Sequence, residues 1–332
     1  MKVIGSQNGG NTMTLQTVAS AAPAIPQELI ESARRYADNS RAANTLRAYR
    51  SDWKQFAEWA DSQGLRAMPA APETVTAYIT TLADQGLAVG TIGRRLIAIG
   101  QAHAAQGLQF DSRHPLIAAT MKGIRRTLGS AQTPKDALLT EDIRAMVKVL
   151  PEGLSGLRDR ALLLVGFAGA LRRSELVGLD VENVKVEQEG MVITLRRSKT
   201  DQEGEGQTIA IPRGRHAATC PVQALQEWLA AAGIAAGPIF RAVDRHGNVA
   251  ADRLSARAVA NIVKRAAAAA GLDPADYAGH SLRSGMATAA ARAGANERSI
   301  MDQTRHRSVA MVRRYIHRGL LWADNAAGCL GL

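Results

Sequence analysis

Apolar residues recur at helical spacing through the first 128 residues of the chain. In the clearest stretch the apolar positions are Leu46, Tyr49, Trp53, Phe56 and Ala60. Residues three and four apart lie on one face of an α-helix, so this spacing predicts a helix with a buried stripe. The same kind of pattern predicts helices over 26–37, 72–84, 89–105 and 115–128. We therefore expect residues 25–128 to form a compact helical domain.

From residue 138 onward, helical spacing is interrupted by short runs that alternate between apolar and polar residues. These runs predict strands at 184–187, 191–197 and 207–211, joined by turns. Helices are predicted over 141–150, 156–170, 221–232, 255–270, 281–293, 297–305 and 308–317, with Thr140 as the N-cap of the first. The whole chain is thus predicted to be mainly α, with a second, mixed α+β domain over 138–318 that contains a small antiparallel sheet.

Three segments lack such a pattern. Residues 1–24 are rich in Gly, Ser, Thr and Ala, which is typical of a flexible arm. Residues 129–137, GSAQTPKDA, are polar and carry a proline, as an interdomain linker does. Residues 319–332 are partly apolar, and we expect this tail to pack against protein.

Composition narrows the class of protein. Hydrophobic residues make up 46% of the 332 residues, as in a globular chain, and no apolar run is long enough to span a membrane. The N-terminus has no secretory pattern, and Cys220 and Cys329 follow no metal or disulfide spacing, so we expect a cytoplasmic protein. The net charge of +11 favours a polyanionic partner.

Lysines and arginines form stripes on the predicted helices of the first domain. These residues are Arg47, Arg50, Lys54, Arg94, Arg95, Lys122, Arg125 and Arg126, all placed on the outer faces by the apolar pattern. A charged stripe is often only a solvated surface. Because the net charge is strongly positive, contact with a DNA backbone is as good an interpretation as a solvated surface, and both stay open.

Reactive side chains are concentrated between His280 and Tyr315. His280 and Arg283 are three residues apart at the start of a predicted helix, so they share a face. His306 and Tyr315 follow at a helix break and in the last predicted helix. Each alone is more often structural. Together, a guanidinium that binds phosphate, imidazoles that move protons and a phenol that can attack suggest cleavage of a phosphodiester by tyrosine.

Two further segments supply groups that this reaction needs. Arg172 precedes Glu175 by three residues, and Lys199 lies in the turn sequence RRSKT. With Arg283 they give three cations that can stabilise a pentacoordinate phosphorus. A lysine on a turn can protonate the leaving 5′ oxygen, and His280 is the natural acceptor of the phenol proton. No metal-type carboxylate cluster accompanies them, so we expect transfer without a metal or other cofactor.

The order of these groups resembles the tyrosine recombinase (phage integrase) family, with a Cre/Xer-like two-domain architecture. The resemblance rests on ALRRSEL at 170–176, the lysine in 196–200, HSLR at 280–283, His306, and Tyr315 nine residues later. In the first domain, residues 69–92 resemble the helical, SAM-like core-binding domain of such recombinases. Two positions depart from the common pattern: Arg305 stands where many members have Gly, and Ser284 where His is common.

The resemblance implies a role for each site residue. Arg172 and Arg283 would grip the scissile phosphate, Lys199 would be the general acid and His280 the proton acceptor. His306 would be a further phosphate donor and Glu175 would orient the site, while Tyr315 would form a 3′-phosphotyrosine. Arg173 competes with Arg172, but the spacing to Glu175 favours Arg172. The implied partners are double-stranded DNA and further copies of the chain, two on a site and four in a synapse that exchange C-terminal segments.

Two other functions use the same groups in part. A type IB topoisomerase-like enzyme would relax DNA without partner subunits. A non-catalytic DNA-binding protein on the same fold would need neither Tyr315 nor Lys199, so the complete set of groups argues against it. The sequence identifies no accessory protein and no DNA target.

Overall fold

A computed structural model of the chain describes residues 26–38, 43–129, 135–195, 206–306, 308–321, 327 and 330. The chain divides into two compact units, Met1–Gln132 and Thr133–Leu332. In the described residues, none of the helices is both long and apolar enough to cross a lipid bilayer.

The first unit consists of helices in its described part. They are α1 (Gln27–Asp38), α2 (Ala43–Ser62), α3 (Pro72–Asp84), α4 (Val89–Ala105) and α5 (Pro115–Leu128). Pro72 and Pro115 each begin a helix, where the missing N–H of proline costs nothing. The core is formed by Phe56, Val75, Tyr78, Ile79, Leu82, Ile92, Ile99, Ile117, Met121 and Ile124. The predicted helices are therefore present with shifts of a residue or two at their ends.

The second unit contains α6 (Thr140–Lys148), α7 (Leu154–Ala168), α8 (Arg173–Val177), α9 (Pro221–Ala231), α10 (Ala256–Ala269), α11 (Ser281–Arg292), α12 (Glu297–Thr304) and α13 (Val309–Gly319). Helix α7 is buried along most of its length, and α6, α9, α10 and α11 pack against it. Trp228 on α9 is fully buried, and its indole N–H donates to the Ile239 carbonyl at 2.8 Å. This central helix positions the chain segment that leaves its C-terminal end.

The sheet of the second unit is small and antiparallel. Strands β1 (Val184–Val186), β2 (Gly190–Leu195) and β3 (Gln207–Pro212) pair in that order. The mainly α fold with a small antiparallel sheet is confirmed. A second pair, β4 (Arg241–Val243) and β5 (Val249–Arg253), was not predicted, because these short and largely exposed strands show no alternation of apolar and polar residues.

One predicted cap is wrong. Thr140 is the first residue of α6 and not its N-cap, and the Asp142 carboxylate accepts the N–H of Leu139 at 2.8 Å. Asp142 performs the capping function because a longer, charged acceptor inside the first turn reaches back to the free N–H and also favours the positive end of the helix dipole.

Helices α11, α12 and α13 form a layer with its own small core of Ala287, Ala291, Ile300, Val312 and Tyr315. The segment before α6 crosses α11 at Gly285, where an added Cβ would lie 1.9 Å from the Leu138 carbonyl oxygen. Leu138 N–H also donates to the Ser281 carbonyl at 3.2 Å. Close backbone contact thereby fixes the start of α11, which carries two of the candidate site residues.

Candidate active site

Arg172 lies where the chain leaves α7 and enters α8. The turn passes through Gly169 and Ala170, and Ala170 has a positive φ of 46°. The N–H of Arg172 donates to Glu175 Oε2 at 2.8 Å, and its Nη1 donates to Glu175 Oε1 at 2.5 Å. The three-residue spacing therefore brings the carboxylate back onto the arginine at the helix start. The Arg172 side chain is still 18% exposed, so it can contact a ligand.

Arg283, in the first turn of α11, comes to the same place from a distant part of the sequence. Its side chain is buried, and Nη1 donates to the Ala170 carbonyl at 2.7 Å. Its Nη2 has no hydrogen-bond partner within the described part of the chain. Burial and the charges of Arg172 and Arg305 lower the pKa of Arg283 to about 9. An anion placed beside it would reverse that destabilisation of the charge.

His280 and Tyr315 meet across α11 and α13. The His280 Nε2 and the Tyr315 hydroxyl oxygen are 3.2 Å apart. Burial raises the pKa of Tyr315, although Arg283 acts to lower it. The His280 residue as a whole is exposed to solvent. Its imidazole ring is nevertheless desolvated, and this burial together with the charges of Arg283 and Arg172 lowers the pKa of His280. At neutral pH the phenol is protonated and the adjacent imidazole is neutral, which is the starting state for proton transfer between them.

His306 completes the group on the other side of Tyr315. The centroids of the two rings are 5.7 Å apart. The Thr304 hydroxyl donates to the Ile300 carbonyl at 2.7 Å, so it accepts from the Nδ1–H of His306 at 2.7 Å. Burial and the nearby guanidiniums lower the pKa of His306 to about 4. A phosphate would raise this pKa, because it favours the charged imidazolium that can donate from Nε2.

Glu175 is the shared partner of two arginines. Its carboxylate is buried and accepts from Arg172 through Oε1 and from Arg305 Nη2 through Oε2 at 2.9 Å. Burial acts to raise the pKa of Glu175, but the charge of Arg305 and the hydrogen bonds from Arg172 outweigh it, so the pKa is lowered. In the sequence, Arg305 is evident only as a residue that stands where many family members have Gly. Nothing local revealed this pairing, since the residues are 130 positions apart.

Arg173, the competitor of Arg172, is exposed and lies over the backbone before His280. An added Cβ at Gly279 would be 2.3 Å from Arg173 Cδ, so glycine is what allows this close packing. Of the two arginines, Arg172 is the one that binds Glu175, and its preference over Arg173 as the phosphate ligand stays a prediction. Lys199, the predicted general acid, lies in the segment 196–205 between β2 and β3, outside the described residues.

The predicted DNA contacts of the first unit fall into two groups. Exposed side chains belong to Arg47, Arg50 and Lys54 on α2 and to Lys122, Arg125 and Arg126 on α5. Among them, Arg47 donates to Asn44 at 2.8 Å and Lys54 lies 3.6 Å from Glu58. These positions match the predicted outer faces, and contact with DNA remains a prediction.

The outward placement on α4 is wrong for Arg95 but not for Arg94, and contact of either residue with DNA stays a prediction. The Arg94 side chain is 42% exposed and is ion-paired with Asp52, whose side chain is only 3% exposed. The Arg95 side chain is 15% exposed and donates to the Tyr78 hydroxyl at 2.9 Å and to Gln55 at 2.7 Å. The physical reason is Asp52: a carboxylate buried on the inner side of α2 requires cations, and α4 supplies them.

Among the described residues, no three His, Cys, Asp or Glu side chains come close enough to hold a metal ion. The charges that act on the Tyr315 phenol are the guanidiniums of Arg283, Arg314 and Arg318. Arg172 and Arg305 add two more at the Arg283 turn, where Glu175 is their carboxylate partner. Such an excess of positive charge beside a phenol suits an anionic substrate.

Comparison with known sequences assigns both units. A family model described as the phage integrase family matches residues 136–319, and one described as the N-terminal SAM-like domain of phage integrases matches residues 36–105. The chain is 44% identical over 300 residues to an integrase/recombinase xerD homolog of Selenomonas ruminantium, covering 89% of this chain and 87% of that protein. It is 26% identical over 283 residues to the recombinase cre of Escherichia phage P1, covering 79% and 80%.

Solved structures show the same fold. The integrase of transposon Tn1549, in complex with transposon right end DNA, gives a TM-score of 0.58 at 14% identity and covers 85% of this chain and 92% of that chain. A lambda integrase dimer bound to a core site gives a TM-score of 0.57 at 18% identity and covers 87% and 93%.

Proposed function

This chain belongs to the phage integrase family, and from that premise we propose that it is a site-specific DNA recombinase that cleaves and rejoins DNA through a 3′-phosphotyrosine. The observation that carries the proposal is the 3.2 Å contact between the Tyr315 hydroxyl and His280 Nε2, next to the guanidiniums of Arg172 and Arg283. A nucleophile, its base and phosphate-binding cations are together in one unit of the chain.

The proposed reaction is an exchange of one phosphoester for another. The Tyr315 oxygen attacks the scissile phosphorus, and its proton passes to His280 Nε2. The bond from phosphorus to the 5′ oxygen breaks, and Lys199 protonates that oxygen. A 5′ hydroxyl then attacks the phosphotyrosine and reverses the sequence on the new strand. Because phosphoester bonds are conserved in number, the cycle needs no ATP, and the arginines supply the countercharge that a metal would otherwise give.

Each cation has a proposed place in that cycle. Arg172 and Arg283 hold the nonbridging oxygens, where charge accumulates in the transition state. His306 joins them once the phosphate has raised its pKa and its Nε2 is protonated. Glu175 keeps Arg172 in position through the 2.5 Å bond to Nη1. The raised pKa of Tyr315 means that attack depends on His280 and not on a pre-formed phenolate.

The first unit is proposed to hold the DNA on either side of the cleavage position, as the SAM-like match and the exposed lysines and arginines support. The solved neighbour described as a dimer on a core site and the partly apolar tail at 319–332 support assembly of two copies on a site and four in a synapse. We also propose a cytoplasmic location, because DNA inside the cell is the substrate of the proposed reaction.

A nicked suicide substrate tests the proposal. Cleavage next to the nick releases a short oligonucleotide, so the covalent protein–DNA adduct cannot reverse. We expect the wild-type protein to form an adduct that resists boiling in detergent, and peptide mapping to place the nucleotide on Tyr315. Candidate DNA sites come from selection of bound fragments. An adduct on another residue, or none on any selected DNA, would contradict the proposal.

The two alternatives give different results in the same assay. A type IB topoisomerase-like enzyme would trap the adduct and relax supercoiled DNA but would not join two sites. A binding protein on this fold would shift DNA in a gel without any adduct. Deleting residues 319–332 further tests assembly: we expect single-site binding to persist while cooperative binding to two half-sites and strand exchange are strongly reduced. Undiminished cooperativity would show that the tail packs on its own protomer.

A further inference from the structure

Arg305 ends α12 in a conformation that favours glycine. Its φ and ψ are 54° and 44°, which is the left-handed helical region. A side chain at this position brings Cβ close to the backbone, so an arginine here is less stable than glycine unless its side chain makes compensating contacts. The contacts of the guanidinium must therefore offset the cost of this backbone conformation.

The guanidinium of Arg305 is buried and makes several contacts. Its side chain is 4% exposed, and Nη2 donates to Glu175 Oε2 at 2.9 Å and to the Ala170 carbonyl at 3.3 Å. Its Nη1 donates to the carbonyls of Gly169 at 3.2 Å and Gln303 at 3.1 Å. One side chain thus ties the end of α12 to the turn that precedes Arg172 and to the carboxylate that holds Arg172.

The Gly169–Ala170 turn, which Arg305 contacts, also has an unusual backbone conformation. Among the described residues, Ala170 and Arg305 are the non-glycine residues with positive φ, and they are hydrogen-bonded to each other. The Ala170 carbonyl also accepts from Arg283 Nη1 at 2.7 Å. Backbone conformations of this kind persist when surrounding contacts hold them, and they concentrate at functional sites. The contacts that hold this one come from a candidate phosphate ligand and from Arg305.

Arg305 also determines how much of Arg172 is available. The Glu175 carboxylate is almost completely buried, so both of its oxygens need donors. Arg305 and the Arg172 N–H satisfy Oε2, and Arg172 Nη1 alone binds Oε1. Without Arg305, we expect both Glu175 oxygens to bind the guanidinium of Arg172. Fewer N–H donors of Arg172 would then be available on the exposed side of the site.

We propose that Arg305 is a positioning residue for phosphoryl transfer, which holds Glu175 and the Gly169–Ala170 turn so that Arg172 presents its free donors to the scissile phosphate. The inference rests on the proposed function. Arg305 does not touch the substrate in this proposal; it acts through Glu175 and Ala170. It also fixes the backbone from which His306 follows directly in the chain.

The test uses the full chain, the nicked suicide DNA and two variants. Arg305→Gly removes the guanidinium and its contacts, and glycine offsets part of the lost stability because it adopts the left-handed backbone without strain. Arg305→Lys keeps a charge but not the planar fork. Arg253→Lys is the matched control, because Arg253 also bridges a carboxylate, Asp180 at 3.0 Å, and a backbone carbonyl, Val177 at 2.8 Å. Single-turnover cleavage is measured at saturating DNA, with DNA affinity and melting temperature alongside.

We expect Arg305→Gly to slow cleavage about 10- to 100-fold, the usual loss when a group supporting a ligand is removed, while DNA affinity changes less than about twofold. Arg305→Lys should lie between it and the wild type, and Arg253→Lys should cleave at the wild-type rate. Added guanidinium chloride should partly restore the Arg305→Gly rate relative to sodium chloride at equal concentration, and should restore nothing in the control.

Other outcomes overturn the inference in distinguishable ways. If the wild-type protein forms the adduct and both Arg305 variants cleave at its rate, Arg305 is only structural, whatever happens to their melting temperatures. A slow Arg305→Gly variant that guanidinium fails to rescue, together with a fast Arg305→Lys variant, likewise contradicts a role for the fork. If the wild-type protein itself forms no adduct on any selected DNA, the proposed function fails and the role of Arg305 falls with it.

Discussion

Tyr78 in the first unit and Tyr315 in the second are both buried tyrosines near arginines, and burial raises the pKa of each. Their hydroxyls meet different partners. The Tyr78 oxygen accepts a hydrogen bond from Arg95 Nη1 at 2.9 Å, whereas the Tyr315 oxygen lies 3.2 Å from His280 Nε2. An arginine can only donate, so it cannot take a proton from Tyr78, but a neutral imidazole can take one from Tyr315.

The histidines of the two units differ in the same way. His103 is fully buried, its Nε2 accepts from the Ala70 N–H at 2.9 Å and its Nδ1 donates to the Ile99 carbonyl at 2.8 Å. Both nitrogens are therefore committed to holding the backbone. In the second unit, His306 uses Nδ1 on Thr304, and no hydrogen bond is recorded for its Nε2 within the described residues. A histidine with one committed nitrogen is oriented and can still act on a ligand.

Each unit also has a buried carboxylate near its buried tyrosine that pairs with arginines. Asp52 pairs with Arg94 and joins α2 to α4. Glu175 pairs with Arg172 and Arg305, and Arg283 adds a further charge to the same turn. The group around Glu175 therefore has more guanidiniums than this carboxylate neutralises. The same residue types make a structural network in one unit and a candidate site in the other, because only the second combines surplus charge with a proton acceptor.

The largest effect that would separate the two regions is expected from removing each phenol oxygen. Tyr315→Phe should abolish the covalent adduct while leaving DNA binding nearly intact, because the ring still packs. Tyr78→Phe should form the adduct at the wild-type rate and lose about 1 kcal/mol of stability, the typical contribution of one hydrogen bond. Suicide-substrate cleavage and urea denaturation measure both. If Tyr315→Phe still forms an adduct, the proposed difference between Tyr315 and Tyr78 is wrong.

The arginines give the next largest contrast. Arg172→Ala and Arg283→Ala should each slow single-turnover cleavage about 10²- to 10³-fold, since a charged donor to the transition state is lost. Arg95→Ala should instead lower the stability of the first unit by about 1–3 kcal/mol, because Asp52 and Tyr78 lose a buried partner. Its cleavage rate at saturating DNA should stay within about twofold, because sites that share no partners act independently. A large rate loss in Arg95→Ala would give the first unit a part in catalysis.

The third prediction concerns pH. The folded-state pKa of His306 is lowered to about 4 from an ordinary value of about 6.5, so the unfolded chain binds more protons between these values. Stability from this group is complete above pH 6.5 and is lost as the pH falls toward 4. Allowing for solvent screening, we expect a loss of about 1–2 kcal/mol between pH 7 and pH 5. Urea denaturation should show it, and His306→Gln should reduce the slope with pH; an unchanged slope would contradict it.

The smallest expected effect concerns the exposed basic residues of α2. If Arg47, Arg50 and Lys54 contact phosphates, their joint replacement by Ala should reduce the slope of log affinity against log salt by up to about 3. Cleavage at saturating DNA should change little. Replacing Lys185, an exposed lysine paired with Glu187 in the second unit, is the control. An unchanged slope in the triple variant would return the stripe to ordinary solvated surface.

The sequence by itself determined the helices and the order of the reactive groups. Apolar spacing located α2 through Trp53, Phe56 and Ala60, and the intervals between His280 and Arg283 and between Arg172 and Glu175 placed each pair on one helix start. These are local properties, since a side chain three or four residues away is a neighbour on any α-helix. The resemblance to the phage integrase family followed from the same local motifs and is confirmed by the matches over both units.

Only the tertiary structure decided which charges are free. Arg95 fits the outward pattern of α4 as well as Arg125 fits that of α5. It turns inward because its partners on α2, the buried Asp52 and Gln55 at 40 positions in sequence, lie on that side. Arg305 reaches Glu175 across 130 positions from a left-handed residue that no periodicity reports. Partners distant in sequence are set by packing, and the cost of burying an unpaired charge then fixes each guanidinium in place.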